Sequence, residues 1–309
     1  MLTVKFWGVR GSIPVPGEDT VKIGGNTSCI EIMNDKNELL IIDAGTGIKN
    51  LGNHIVSAYL ATGMKKCSLI LTHTHWDHIQ GLPFFTPLYL KDFEIYVYGP
   101  ARDKDTIENI LAGQMNYPYY PVKISDLKAK IFFNDIEEKP FTIGSYQIIP
   151  KVLNHPVKTY GYKIFCEGKI ITTVYDHEIY RNVVLEDNPM IMNDLKIGGE
   201  EVLEASKEVS RRNQEIVDFI RDSNILIYDA FCTEKEYYDG KQGWGHGPIE
   251  FLIENTKHAP VRNLVLFHHA PEKKDKDVLK MKKYLENFVK SLDYKVNLII
   301  AKEGLKIKL

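Results

Sequence analysis

Three histidines and one aspartate stand within six consecutive positions, directly after a short apolar segment. The four residues are His73, His75, Asp77 and His78, and the apolar segment covers residues 67–72. Such a segment predicts a buried strand, so the polar cluster is expected in the turn where that strand ends. Imidazole and carboxylate groups are typical ligands of zinc and of harder divalent cations. The cluster therefore predicts a metal site at the end of a strand.

The spacing of these residues indicates two metal ions. In an extended segment His73 and His75 point to the same side, whereas Asp77 and His78 follow after the chain has begun to turn. Two ions need further ligands, because a catalytic ion takes about three protein ligands and keeps one position open. Three more candidates follow apolar runs of the same kind, namely His155, Asp176 and His268.

The pattern H-x-H-x-D-H of residues 73–78 resembles the signature of the metallo-β-lactamase superfamily. The resemblance covers nearly the whole chain, and it implies that His155 is a ligand and that Asp176 bridges two metals. It also implies that His268 is the last ligand. His269 is the rival for that role, but His268 stands directly after the apolar run.

Asp43 ends another apolar run and is followed by Gly45 and Gly47. It resembles the superfamily's strand-ending aspartate, which supports a ligand without binding the metal itself. The alternative is an ordinary turn carboxylate, since aspartate beside glycine is common in turns.

The resemblance also narrows the reaction. His75 stands where the superfamily's di-iron oxygen reductases carry an acid, so hydrolysis is expected and redox chemistry is not. Residues 155–162, 225–230 and 245–246 are similar to the phosphodiesterase branch, which includes tRNase Z and the cyclic-nucleotide phosphodiesterases. The resemblance therefore implies a binuclear phosphodiesterase with two divalent ions, zinc being expected and manganese or iron the alternatives.

The predicted catalytic residues are Asp77, His246 and Asp229. An imidazole near its own pKa donates a proton at neutral pH, so His246 is the candidate acid for the leaving oxygen, oriented by Asp229. The tRNase Z pattern carries Glu where this chain has Asp229, and Ser where it has Gly247. The alternative is a strand-end aspartate beside a turn histidine.

Charge favours a small substrate. The net charge is −2, whereas an enzyme of polynucleotides usually shows a basic face. Residues 180–222 carry six basic and ten acidic side chains, and their second part has apolar residues at helical spacing. We expect an acidic, partly helical insertion that acts as a lid or a dimer contact and binds tRNA poorly.

The six lysines between residues 273 and 283 are interpreted as a solvated helix face, with a phosphate-attracting rim as the alternative.

Five residues are candidates for substrate contacts. Tyr117, Tyr119 and Tyr120 stand between prolines and offer rings for stacking; the alternative is that they pack a connection. Arg10 and Asn26 lie in glycine-containing loops and are candidates for phosphate contacts; the alternative is that they stabilise those loops.

A small nucleotide or cyclic nucleotide is thus expected ahead of RNA as the substrate. The alternatives are a tRNA 3′-end endonuclease, a lactonase or thioester hydrolase, and a non-catalytic binding protein. The last is disfavoured because all seven ligand positions are filled. The four cysteines form no C-x-x-C and are expected to be buried thiols. No apolar run approaches the roughly 18 residues of a membrane span and no leader is present, which predicts a cytoplasmic protein.

The predicted fold class is α/β (α+β), a four-layer αββα sandwich of two mixed β-sheets forming one domain over residues 1–309. A first set of β-rich runs lies between residues 2 and 98, and a second set, beginning with residues 130–133, ends at residue 301. Helices are expected at residues 48–62, 248–257 and 276–291. The sandwich itself is implied by the resemblance, and the number of strands agrees with it.

Overall fold

The computed structural model describes residues 1–101, 105–182 and 199–309. Within these ranges the strands form two sheets of seven strands each. In chain order, sheet 1 contains β1 (Thr3–Gly8), β2 (Cys29–Met33), β3 (Leu39–Ile42), β4 (Lys66–Ile70), β5 (Glu94–Pro100), β6 (Lys130–Ile136) and β14 (Lys306–Lys308). Sheet 2 contains β7 (Phe141–Ile143), β8 (Tyr146–Leu153), β9 (Thr159–Cys166), β10 (Lys169–Val174), β11 (Ile225–Asp229), β12 (Asn263–Phe267) and β13 (Asn297–Ile300).

Each sheet is antiparallel on one side and parallel on the other. In sheet 1 the strand order is β14-β1-β2-β3-β4-β5-β6, and the pairs from β3 to β6 are parallel. In sheet 2 the order is β13-β12-β11-β10-β9-β8-β7, and the pairs from β10 to β13 are parallel. The prediction of two mixed sheets is confirmed.

Helices cover the outer faces of both sheets. They are α1 (Ile48–Thr62), α2 (Trp76–Ile79), α3 (Ile107–Gln114), α4 (Gly199–Ile220), α5 (Ile249–Thr256) and α6 (Asp275–Ser291). Short helical turns lie at Glu18–Thr20, Leu82–Phe84, Thr86–Tyr89, Ile124–Asp126, Glu234–Glu236 and Tyr237–Lys241. Among the helices in the described ranges, none is long and apolar enough to cross a membrane.

Strand β3 shows how the layers are built. All four of its residues are buried, but Leu40 and Ile42 belong to the core between the sheets, whereas Leu39 and Ile41 pack with α1. Successive side chains of a strand point to opposite faces, so a strand covered on both faces is apolar throughout. The cluster of Leu40 and Ile42 also contains Ile220, Ile253 and Leu285 from three later helices, which completes the predicted order of helix, sheet, sheet and helix.

The predicted assignment of residues 130–133 to the second set of strands is wrong. This strand, β6, lies at the edge of sheet 1 and pairs in parallel with β5, with Glu94 opposite Lys130. A parallel neighbour needs a crossover connection, and α3 lies on that connection. Chain order alone does not show which of two sheets such a strand joins.

The inserted segment is described only in part, because residues 183–198 lie outside the described residues. Its second part forms α4, as the helical spacing predicts. Ile216, Val217 and Ile220 are buried in the same apolar cluster as Leu40 and Ile42, and Asn213 exchanges two 2.9 Å hydrogen bonds with the backbone of Tyr180. The lid, the dimer contact and the single domain over residues 1–309 stay predictions. All four cysteines are buried and free, as expected.

Candidate active site

The predicted polar residues meet at one edge of the sandwich. Asp43 follows β3 and residues 73–78 follow β4, while His155, Asp176 and His268 follow β8, β10 and β12 in sheet 2. These are the carboxyl ends of the strands, where open α/β sheets place their functional groups. The apolar runs that precede the residues in the sequence are the strands that carry them to this edge.

The backbone is strained at three of these positions. The φ angles are 62° at Asp43, 56° at Asp176 and 56° at His268. Residues other than glycine rarely adopt this left-handed backbone conformation, because it costs about 1–3 kcal/mol of conformational energy. The surrounding structure therefore holds these residues at the site against a local preference.

One group of ligand atoms comes from three histidines. The ring nitrogens of His73, His75 and His155 lie within 4.8 Å of one another, and His75 Nδ1 is 3.0 Å from His155 Nε2. His155 Nδ1 donates to the carbonyl oxygen of Gly245 at 3.0 Å, which leaves Nε2 with its lone pair. Burial lowers the pKa of His73 well below its ordinary value and that of His155 to about 4, so both rings are neutral at neutral pH.

A second group consists of Asp77, His78 and His268. His268 Nε2 lies 3.2 Å from His78 Nε2 and 3.3 Å from Asp77 Oδ2. His78 Nε2 lies 3.2 Å from the same carboxylate oxygen. The atoms of this group also lie within 4.8 Å of one another.

Asp176 stands between the two groups. Its Oδ1 lies 4.0 Å from His73 Nε2 and 3.8 Å from His155 Nε2. Its Oδ2 lies 3.3 Å from the Nε2 atoms of both His78 and His268. Burial opposes ionisation of Asp176, but the surrounding histidines outweigh burial and hold its pKa well below the usual range. One carboxylate oxygen thus faces each group.

The donor set fits divalent metal ions. Ligand atoms bound to one ion at about 2.0–2.1 Å lie roughly 3.3 Å apart in a tetrahedral arrangement, close to the spacings in the second group. His73 Nε2 and Asp176 Oδ2 are buried and have no hydrogen-bond partner among the described residues. Buried polar atoms are costly when unpaired, and coordination to a cation would satisfy both. The predicted roles of the seven residues as metal ligands stay a proposal.

Asp43 orients His78 of the second group through the ring nitrogen that does not face the other candidate ligands. Its Oδ2 accepts from His78 Nδ1 at 2.7 Å, and its Oδ1 accepts from the Thr72 amide at 2.8 Å. The hydroxyl groups of Ser28 and Tyr175 donate to the same carboxylate at 3.0 and 2.8 Å. The bond to Nδ1 leaves His78 Nε2 free to bind a metal. Tyr175 was not predicted, because a tyrosine at the end of a strand is most simply a core residue.

Asp229 reaches His246 despite being shorter than the glutamate of the tRNase Z pattern. Asp229 Oδ2 accepts from His246 Nδ1 at 2.7 Å, and the ring of Phe231 stacks on His246 with centroids 4.0 Å apart. Burial lowers the pKa of His246, but the Asp229 carboxylate outweighs burial and the net pKa is raised. His246 Nε2 lies 4.0 Å from Asp176 Oδ1, at the border of the two candidate ligand groups.

Glu178 is a site residue that the sequence analysis missed. Its carboxylate is buried and accepts from the backbone amides of Gly243 and Gly245 at 2.8 and 3.0 Å, and from the Tyr237 hydroxyl at 2.5 Å. The Gly245 carbonyl in turn fixes His155. Glu178 stands two residues after Asp176, and only the fold brings it beside this loop.

A cavity of about 320 Å³ opens onto both candidate ligand groups. The described residues that line it are Ser12, His75, Asp77, His155, Asp176, Phe231, Trp244 and His246. Ser12 was also missed, and its backbone amide donates to Asp77 Oδ2 at 2.7 Å.

Arg10 and Asn26 are not among the described residues that line this cavity, so their substrate contacts stay predictions without support from it. Arg10 is fully buried, and its guanidinium donates to the carbonyl oxygens of Gly24 and Lys273 at 2.7 and 2.5 Å. The Asn26 side chain donates to Glu303 at 3.0 Å. Both residues therefore stabilise loops, which was the alternative interpretation.

The three tyrosines lie on another part of the surface. Tyr117 and Tyr119 are 76% and 78% exposed, and Tyr120 bonds through its hydroxyl to the Pro83 carbonyl at 3.0 Å. None of the three lines the cavity as far as the structure describes it. Their contact with substrate stays a prediction without support from the cavity.

Lys273 alone among the six lysines departs from the predicted solvated helix face by being buried. Its ammonium group is buried and donates to the Phe231 carbonyl at 2.9 Å and to Glu236 at 2.8 Å. Lys273 therefore holds the segment that carries Phe231, while Lys276, Lys280 and Lys283 are exposed.

Comparison with known proteins supports the architecture. No family model matches the chain. In the solved structures, the metallo-β-lactamase fold protein YhfI from Bacillus subtilis superposes with a TM-score of 0.64 and 16% identity, covering 99% of this chain and 98% of that one. The chain has the metallo-β-lactamase fold. Unliganded yeast PDE1 shares this fold with a TM-score of 0.66 and 16% identity, covering 100% and 99%. Zn²⁺-bound PqqB from Methylobacterium extorquens does so with a TM-score of 0.59 and 15% identity, covering 99% and 100%.

Sequence relatives add the reaction class. Ribonuclease Z of Pyrococcus horikoshii is 24% identical over 295 residues, which is 88% of this chain and 87% of the relative. Ribonuclease Z of Bacillus subtilis is 22% identical over 290 residues, covering 85% and 86%. These relatives, the fold and the His/Asp groups confirm the prediction of a metal-dependent hydrolase with the metallo-β-lactamase fold.

Proposed function

We propose that this protein hydrolyses phosphodiester bonds in RNA with two divalent metal ions and with His246 as the proton donor. The observation that carries the proposal is the placement of His246. Its Nδ1 is held by Asp229 at 2.7 Å, and its ring lines the cavity that opens onto the ligand groups. An ester with a poor alkoxide leaving group needs such a donor.

Seven side chains would hold the metals. His73, His75 and His155 form one set, Asp77, His78 and His268 the other, and Asp176 offers one oxygen to each. When bound, two divalent ions supply an activated water and neutralise charge on the phosphoryl group. The nitrogen and oxygen donors suit zinc, with manganese and iron as alternatives, and the zinc-bound fold relative supports the first.

The residues of this chain supply the proton, the orientation of its donor and the exclusion of water. Hydrolysis forms a bond from the water oxygen to phosphorus and breaks the bond from phosphorus to the ester oxygen. That ester oxygen takes a proton from His246 Nε2. The attacking water loses one proton to solvent, and the imidazole afterwards takes one proton back from solvent. Asp229 stabilises the protonated ring and fixes its orientation, while Phe231 covers one ring face and excludes water from it.

RNA is proposed as the first substrate because the sequence relatives are named ribonuclease Z and align over most of the chain. By this proposal the protein is a tRNA 3′-end endonuclease or a close variant of one. A small nucleotide or cyclic nucleotide is the second candidate, favoured by the net charge of −2 and by the acidic insertion. A lactonase or thioester hydrolase would have no use for the His246 and Asp229 pair.

The test is a substrate panel combined with His246→Ala. The metal-loaded protein is assayed on a tRNA precursor with a 3′ extension, on cyclic nucleotides, on bis-nitrophenyl phosphate and on a lactone. We expect cleavage of the precursor, and we expect His246→Ala to slow it roughly 100-fold or more while sparing the nitrophenyl ester. The difference arises because nitrophenolate leaves without a proton.

Exposed His258 provides the matched control, since His258→Ala removes an imidazole from the surface. Metal content should stay unchanged in both variants. Loss of metal from His246→Ala would instead make His246 a ligand, a role open to it because its ring nitrogen lies within 4.8 Å of ligand atoms of Asp176 and His268. A protein active on the lactone and inert toward every phosphodiester would reject the proposal. Cytoplasmic location and a homodimer stay predictions.

A further inference from the structure

Trp244 is an exposed aromatic residue at the mouth of the active site. Its side chain is 57% exposed, yet it lines the same cavity as His75, Asp77 and His246. An indole offers a large apolar face, and leaving that face in water forgoes the favourable free energy of burial. An exposed indole beside the candidate active site can therefore contact an apolar or planar group of a bound substrate.

The loop that carries Trp244 is held firmly. Gly243 and Gly245 flank it with φ angles of 84° each, and both glycine amides donate to the buried Glu178 carboxylate at 2.8 and 3.0 Å. The Gly245 carbonyl accepts from His155. The indole is thus presented from a fixed backbone, one residue from a group that positions a proposed metal ligand. A ring carried on a fixed backbone loses less freedom on binding a flat partner than a ring on a mobile loop.

We infer that Trp244 forms a subsite for a nucleobase next to the phosphate held at the metal groups. The inference rests on the proposed function, because it assigns the group attached to the scissile phosphate. A planar base stacks on an indole face whatever its sequence, which suits a site that must accept an RNA chain. Trp76, between His75 and Asp77, is 73% exposed but does not line the cavity in the part of the chain described, so the subsite is assigned to Trp244 alone.

The test measures binding, so that it does not depend on turnover. Metal-loaded protein is titrated calorimetrically with adenosine 3′-monophosphate, with adenosine 5′-monophosphate and with methyl phosphate, which has the phosphate and no base. At least one nucleotide should bind more tightly than methyl phosphate. Trp244→Ala should weaken the binding of that nucleotide roughly 5- to 100-fold, which is the usual contribution of stacking on one base. The affinity for methyl phosphate should stay unchanged.

Two further variants separate stacking from a structural role. Trp244→Phe keeps a ring and should recover most of the nucleotide affinity. Tyr238→Ala is the matched control, because Tyr238 is 62% exposed in the preceding turn and does not line the described cavity. It should bind all three probes as the unchanged protein does.

The inference is overturned if neither nucleotide binds more tightly than methyl phosphate. It is also overturned if Trp244→Ala weakens the binding of all three probes equally. The same holds if Tyr238→Ala weakens nucleotide binding as much as Trp244→Ala does. A protein that binds nucleotides through Trp244 but hydrolyses no phosphodiester would reject the proposed function and leave the subsite standing.

Discussion

Replacing Asp43 by Asn would test how the site keeps its ligands ready for metal. The Asp43 side chain is fully buried, and its carboxylate accepts hydrogen bonds from five donors. These donors are the Thr72 amide, the Thr72 hydroxyl, the Ser28 hydroxyl, the Tyr175 hydroxyl and His78 Nδ1. Asparagine keeps the shape of the side chain and removes its charge.

The amide offers one accepting and one donating atom where the carboxylate offers two acceptors. The hydroxyl groups of Ser28 and Tyr175 can rotate and accept from the new amide nitrogen. The imidazole of His78 can accept at Nδ1 only if its proton moves to Nε2. That nitrogen lies 3.3 Å from Asp176 Oδ2, on the side of the proposed metal, so a proton there competes directly with coordination.

Two losses follow from this geometry. Metal affinity should fall roughly 10- to 100-fold, as when a group that orients a ligand is removed, which corresponds to about 1.4–2.8 kcal/mol. The metal-free protein should lose about 1.5–3 kcal/mol of unfolding free energy for the charge-assisted hydrogen bond to His78. The metal-loaded protein should therefore lose about 3–6 kcal/mol in all.

Chelator competition with zinc measures the first loss, and urea unfolding of the metal-free protein measures the second. Ser28→Ala is the matched control, because it removes one donor to the same carboxylate and keeps the charge and the His78 tautomer. It should cost about 1 kcal/mol of stability and leave metal affinity unchanged. Wild-type zinc affinity in Asp43→Asn, or an equal loss of affinity in Ser28→Ala, would refute the tautomer argument.

Two further predictions concern the last ligand and a buried acid. By elemental analysis the unchanged protein should carry about two metal ions per chain, and His268→Ala about one. His269→Ala should keep both ions, because His269 is buried and bonds to the Ala301 carbonyl at 3.1 Å. The reverse pattern would show that His269 and not His268 is the ligand. Burial raises the pKa of Glu250, so the unfolded chain releases that proton at lower pH than the folded protein, and stability falls as pH rises from the unfolded pKa through the folded one. Glu250→Gln should therefore be more stable than the unchanged protein in urea at about pH 8 and equally stable at about pH 3.5; a constant difference at both pH values would contradict this.

Local sequence patterns determined most of the strands and the identity of the metal-binding candidates. Residues 73–78 carry four of the seven candidates in one turn, and each of the others follows an apolar run. A run of apolar residues becomes a buried strand, and the polar residue after it must lie at the strand's end. The resemblance to a known superfamily supplied the sandwich and the roles of the residues.

Only the tertiary structure decided contacts between residues distant in the chain. It placed β6 in sheet 1, and it added β7 and β14, whose three residues each give too short a pattern to predict a strand. Arg10 was buried against the Lys273 carbonyl, 263 positions away. Glu178 was paired with a loop 65 positions later. The shorter Asp229 carboxylate came within 2.7 Å of His246. Distances of this kind depend on how two sheets pack, which residue types and their local spacing do not specify.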